Sequence, residues 1–119
     1  MSAKVIETTM NGRETLKLTS AQNVTALKDV ENGTEIEYVG HCIQEIVNEN
    51  TGELFKSLLL KAADGSIVAT RSDVFINALH NIIETLNSFA DPDDNEPVIL
   101  RVVHAKSKKG NMFVTCELA

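Results

Sequence analysis

From Glu35 the chain alternates polar and apolar residues: Glu35-Ile36-Glu37-Tyr38-Val39, then His41-Cys42-Ile43-Gln44-Glu45-Ile46-Val47 beyond Gly40. A period of two places alternate side chains on opposite faces of a strand. The glycine inside that pattern marks a bulge or bend, so this first strand can serve two sets of partners. Asn48 to Glu53 is turn chemistry, and Leu54 to Lys61 forms the second strand. Ala63-Asp64-Gly65-Ser66 carries an Asp-Gly hairpin signal, followed by a third, shorter strand from Ile67 to Thr70. The period then changes. Val74, Phe75, Ala78, Leu79, Ile82, Ile83, Leu86 and Phe89 recur at helical spacing. Ser72 is placed to cap that helix, Asp73 suits its positive end, and Asp91-Pro92 stops it. Val98 to Ala105 and Met112 to Leu118 are the fourth and fifth strands, joined by the basic turn 106–111. On the fifth, Met112, Val114, Cys116 and Leu118 share one face and Phe113, Thr115 and Glu117 the other.

Ahead of Glu35 the pattern is weaker. Residues 1–14 are polar, with a turn signal at Asn11-Gly12, and read as an arm or one loose strand. Thr15 to Thr19 alternate around Leu16 and Leu18, which predicts a short edge strand. Ala21 to Asp29 reads as a helical turn or loop. The predicted fold class is all-β with one helix. Strand, strand, strand, helix, strand, strand is the element order of a five-stranded OB-fold-like barrel, with the helix between strands three and four plugging one end. Residues 1–20 are then an N-terminal arm or edge strand, and 21–119 the OB-fold-like domain.

Length and composition agree with one globular domain: 119 residues, 43% hydrophobic and 24% charged. Charge changes the picture more. The formal net charge is −6, which argues against a uniformly basic nucleic-acid binder. That total is segregated, with net −7 over residues 29–53, −6 over 72–96 and +3 over 97–119. A local basic surface on an acidic body is what a phosphate-bearing ligand responds to. The start lacks the apolar stretch of a secretory signal and no apolar run is long enough for a membrane span, so the expected location is cytoplasmic. Cys42 and Cys116 lie far apart and are expected as buried, reduced thiols.

An OB-fold holds oligonucleotides across its second and third strands and between two loops, here 48–53 and 106–111. Lys106, Lys108 and Lys109 populate the latter loop, and Phe113 follows on the non-core face. Lysines neutralise phosphates and release counterions, and a ring stacks on any base for about 1–3 kcal/mol. Phe55 shares a strand face with Ser57, Leu59 and Lys61, while Lys56 lies opposite with Leu54 and Leu58. Tyr38 offers a ring and a phenol on the first strand, and Arg71 and Arg101 can reach backbone phosphates. These ten residues form the candidate nucleic-acid-binding set. Each has a plainer reading: a solvated lysine hairpin, strand aromatics in a two-sided core, an Arg101 paired to an acidic neighbour.

No enzyme, metal or cofactor is expected. His41, His80 and His104 show no HxxxH or HxH spacing. The calcium-loop echo at Asp91, Asp93 and Asn95 fails because Glu96 stands where glycine is needed and Val102 where glutamate is. GxSxG, P-loop and GxGxxG motifs are absent.

Three segments carry a family resemblance: Leu27 to Thr34, Asp64 to Ser72, and Lys106 to Cys116. Over roughly residues 27–118 the chain resembles the small single-stranded DNA-binding proteins of tailed phages. That resemblance implies a non-catalytic protein that coats and protects exposed strands during phage DNA replication, in the host cytoplasm. It implies single-stranded DNA as partner, with replication proteins as further partners; the arm, residues 1–20, could in addition pair with the edge strand of a second copy, and the lack of an apolar span predicts no membrane partner. Unlike bacterial single-stranded DNA-binding proteins, the chain shows no long acidic tail after its last strand, so tail-mediated recruitment is not expected. The competing reading from charge alone is an acidic protein-interaction module docking on a basic host or replication protein.

Overall fold

The structure is a computed structural model and describes residues 2–119. Its elements are β1 (Ser2–Thr8), α1 (Gly12–Thr19), β2 (Val24–Ala26), a 3-10 turn (Leu27–Asp29), β3 (Glu35–Val47), β4 (Leu54–Ala62), β5 (Ile67–Thr70), α2 (Asp73–Ser88), β6 (Ile99–Lys106) and β7 (Met112–Leu118).

β3 organises the sheet. Antiparallel pairing joins its residues 38–47 to β4, its residues 35–37 to β6 and its residues 42–47 to β1. β4 pairs with β5, β6 with β7, and β2 adds to β5 in parallel. The order is β2-β5-β4-β3-β6-β7, with β1 beside β3. The register of β3 against β4 shifts between Tyr38 and Gly40. A Cβ on Gly40 would sit 3.0 Å from both Met10 Cγ and Thr9 Oγ1, so any larger residue here would make those side chains shift to keep the crossing this close. The strand therefore hands over from β6 to β1 along one edge, and the sheet curls into a half-barrel of the OB-like kind.

The curl does not close by pairing. Among the described residues β5 and β7 share no ladder, and residues 24–34 fill the seam. β2 lies on β5, and residues 33–34 extend the pairing to β6: Gly33 N donates to Val102 O (2.7 Å) and Val102 N to Thr34 O (2.8 Å). His104 Nε2 donates to Val30 O (2.6 Å), and Ser72 Oγ reaches Val114 O (2.8 Å).

α2 fills the barrel's interior end. Ser72 Oγ accepts from Phe75 N (3.2 Å), and the helix buries Phe75, Ile76 and Leu79. They join Ile43, Leu58, Leu60, Leu100, Val102 and Val114 in one core. Each such side chain contributes about 1.5–3 kcal/mol by leaving water. Both cysteines are buried and free.

The expectation of one helix and five strands is corrected to two helices and seven strands among the described residues. Thr15 to Thr19 lie not in the edge strand their alternation predicts but in the helix Gly12–Thr19. Asn11 caps it by accepting from Glu14 N (2.9 Å). Leu16 and Leu18 lie about 200° apart on a helix. Leu18 consequently packs with Cys42 and Leu59 on the outer face of the sheet, and Leu16 points to solvent. Two short or nonlocal strands, β1 and β2, complete the difference.

Candidate nucleic-acid interface

The last residues of β5 stand between two open ends, the start of β4 and the start of β7. Three depressions meet there. One, of about 520 Å³, is lined by Phe55, Lys56, Arg71, Asn77 and His80, with Glu45 and Asp73 as its acidic members. A second, of about 480 Å³, lies over Ala26, Lys28, Ser57, Thr70 and Arg71. A third, of about 560 Å³, sits at the seam against Lys28, Thr70, His104, Met112 and Phe113. The first and second share Arg71, and the second and third share Lys28 and Thr70, so the three form one shallow groove. It is marked by a ring at each end and three cations between and beside them.

The Arg71 guanidinium lies 4.2 Å from the centre of the Phe55 ring. This cation–π contact holds both side chains in place while leaving the guanidinium edge to donate. Arg71 is exposed and Phe55 half-buried. Past Met112, the turn 107–110 carries Lys108 and Lys109, with Lys106 at the end of β6 paired in register with Met112. Ser107 N donates to Asn111 O (2.8 Å) and Gly110 N to Ser107 O (2.9 Å), and Gly110 takes φ +86°, the left-handed conformation such a tight turn needs. The three lysines are exposed.

Ion pairs among the described residues engage Lys17, Lys61 and Arg101, and leave Lys28, Lys56, Arg71 and the three turn lysines free for a ligand. Lys61 lies toward the other end of β4, beside α1, 3.4 Å from Glu14 Oε2. Lys17 and Lys61 hold the Glu14 carboxyl below its ordinary range. Arg101 stands between Glu117 (3.1 Å) and Glu35 (3.6 Å), its neighbours in register on β7 and β3. Those carboxylates, Glu117 foremost, fix its positive charge still more firmly. The Tyr38 hydroxyl is 2.7 Å from His41 Nδ1, and burial pushes its ionisation above the ordinary range. The structure thus brings Phe55, Lys56, Arg71 and Phe113 to one groove, with Lys106, Lys108 and Lys109 beyond its Phe113 end. It sets Tyr38, Lys61 and Arg101 apart, each with a partner inside the fold.

Sequence reasoning missed Lys28. It lies in the 3-10 turn after β2, and only the parallel pairing of β2 with β5 carries it to the groove. A second convergence was equally hidden: Glu7, His41 and His80 meet from β1, β3 and α2. Partial burial works to raise the Glu7 carboxyl, but hydrogen bonds from His41 and His80 outweigh it and hold the group below its ordinary range. These are the residues able to hold a metal ion.

No curated protein and no solved structure matches the chain. The family described as Phage Single-stranded DNA-binding protein matches it over residues 2–119. That match takes in both helices, all seven strands and every residue of the groove, and the chain belongs to this family of phage single-stranded DNA-binding proteins.

Proposed function

We propose that the protein binds single-stranded DNA along the groove from Phe55 to Phe113, with little regard for sequence. The observation that carries this reading is the groove itself, in a chain of this family: Lys28, Lys56 and Arg71 set between two half-buried rings. Cations that track a backbone and rings that accept any base are the two ingredients of sequence-tolerant binding. The lysine turn extends the positive surface past Phe113. Glu45 and Asp73 sit at the Phe55 end and help to expel a backbone that strays from Arg71.

Anisotropy of a labelled oligo-dT at low salt tests the reading. Saturable binding that weakens as salt rises is expected, and Lys28→Ala with Arg71→Ala weakens it for all base compositions alike. An oligonucleotide that stays free at low salt overturns it.

On the same reading, supported by the family, the protein coats and protects exposed strands during phage DNA replication in the host cytoplasm and has no catalytic step. No helix among the described residues is long and apolar enough to cross a membrane. Replication proteins are the further partners this role names. A second copy adds through the N-terminal arm: β1 uses one edge on β3, and Val5 and Ile6 are exposed along it. Light scattering over a concentration series checks the last point. Mass that rises with concentration, and falls in Ile6→Lys, is expected; a constant monomer mass refutes it.

A further inference from the structure

Beside the Phe55 end of the groove, where His80 also lines the first depression, three side chains from distant segments converge on one point. Glu7 Oε2 lies 2.7 Å from His41 Nε2 and 2.8 Å from His80 Nε2. All three ligating atoms fall within 4.8 Å of one another. The geometry points to a binding site for one divalent cation of the zinc class, held by His41 Nε2, His80 Nε2 and a Glu7 oxygen, with water in the fourth position.

The donor set selects the ion. Two imidazoles and one carboxylate suit zinc or cobalt, whereas magnesium and calcium want six or more oxygens. Zinc binds histidine nitrogen at about 2.0–2.1 Å and carboxylate oxygen at about 2.0–2.2 Å, which sets tetrahedral ligands about 3.4 Å apart. The present contacts of 2.7 and 2.8 Å therefore open by about 0.6–0.7 Å each to admit the ion. Glu7 can make that movement, because its side chain is 41% exposed. His80, 36% exposed, leaves a path for the ion and room for water.

The outer partner is already present. His41 is 2% exposed, and its other ring nitrogen, Nδ1, lies 2.7 Å from the Tyr38 hydroxyl. Binding a cation through Nε2 moves the ring proton to Nδ1, which then donates to Tyr38 Oη. Metal-bound histidines characteristically have such a partner, which fixes the ring and its tautomer. Without a cation the same three groups are a hydrogen-bonded triad, with both imidazole N–H groups donating to Glu7. With one, β1, β3 and α2 are tied at a single point.

Cobalt substitutes for zinc and absorbs in the visible, so it is the probe. The untagged full chain, stripped with a chelator, is titrated with Co²⁺ and then with Zn²⁺. Expected are a saturable band at one equivalent and its displacement by Zn²⁺. Tyr38→Phe weakens Co²⁺ binding by about 10-fold. His80→Ala and Glu7→Gln weaken it beyond the roughly 10–100-fold that loss of an outer partner costs. Circular dichroism verifies that each variant is folded. A wild-type chain with no saturable band, or a folded His80→Ala that binds Co²⁺ as tightly as wild type, overturns the assignment. If a variant does not fold, the imidazole NMR signals of the wild type decide: Zn²⁺ shifts those of His41 and His80 together, and signals that stay in place overturn it.

Discussion

Single side chains separate binding from bystander charge. Phe55 presents its ring under Arg71, and removing the ring takes away the support of the guanidinium and, on the proposed reading, a base platform. Phe55→Ala is expected to cost about 1–3 kcal/mol of oligonucleotide affinity, read by anisotropy at fixed salt. Arg101→Ala is expected to leave that affinity within error, because Glu35 and Glu117 already occupy the guanidinium. The same contrast explains what residue type alone reveals. Lysine and phenylalanine near a barrel mouth are visible as candidates, but which cation is spent on a carboxylate is decided by register. Arg101 faces Glu117 and Glu35 only because β6 pairs with β7 and β3 as it does. Burial likewise settles the thiols. Desolvation pushes Cys116 up to about 11, so at pH 8 it remains a thiol and reacts with disulfide reagents only as the fold opens.

Elements decide how positive charge is displayed. The hairpin of β6 and β7 places three lysines within four positions, Lys106 at the end of β6 and Lys108 and Lys109 in the turn. Changing Lys106, Lys108 and Lys109 together to alanine is expected to lower the slope of log affinity against log salt by about 2, since each single-strand phosphate contact contributes about 0.7. An unaltered slope would move the backbone contacts elsewhere. This hairpin, like β3, β4, β5 and α2, was legible in the sequence because its signals are local: period, a glycine turn, a capping serine. α1 was not, since Leu16-Lys17-Leu18 mimics a strand and the decisive fact is the packing of Leu18 on Cys42 and Leu59. The signal that could have found it is Asn11 followed three residues later by Glu14, an N-cap pattern. Lys28 and the Glu7-His41-His80 cluster were illegible for the same reason. Parallel pairing of β2 with β5, and antiparallel pairing of β1 with β3 across more than thirty residues, leave no periodic trace.

At the scale of the whole molecule, an anion binds another anion. The chain carries −6, yet Lys28, Lys56, Arg71, Lys106, Lys108 and Lys109 lie along one stretch of surface. If all six meet phosphates, affinity falls with salt on a log–log slope of about −4. A slope near −1 would mean that the rings carry binding and the body's charge cancels the rest. On the proposed reading, the acidic remainder is expected to disfavour loose accumulation of the protein on duplex DNA. The half-barrel has one more consequence at this scale. Ser72 is simultaneously acceptor for the Phe75 amide and donor to Val114, beside Phe113. A single oxygen therefore links the hidden first turn of a helix to the strand that edges an unzipped wall. Phe75 is 1% exposed, and if DNA lies along the groove as proposed its amide resonance becomes a remote gauge of that edge. Oligonucleotide should shift it in the wild type and leave it still in Ser72→Ala.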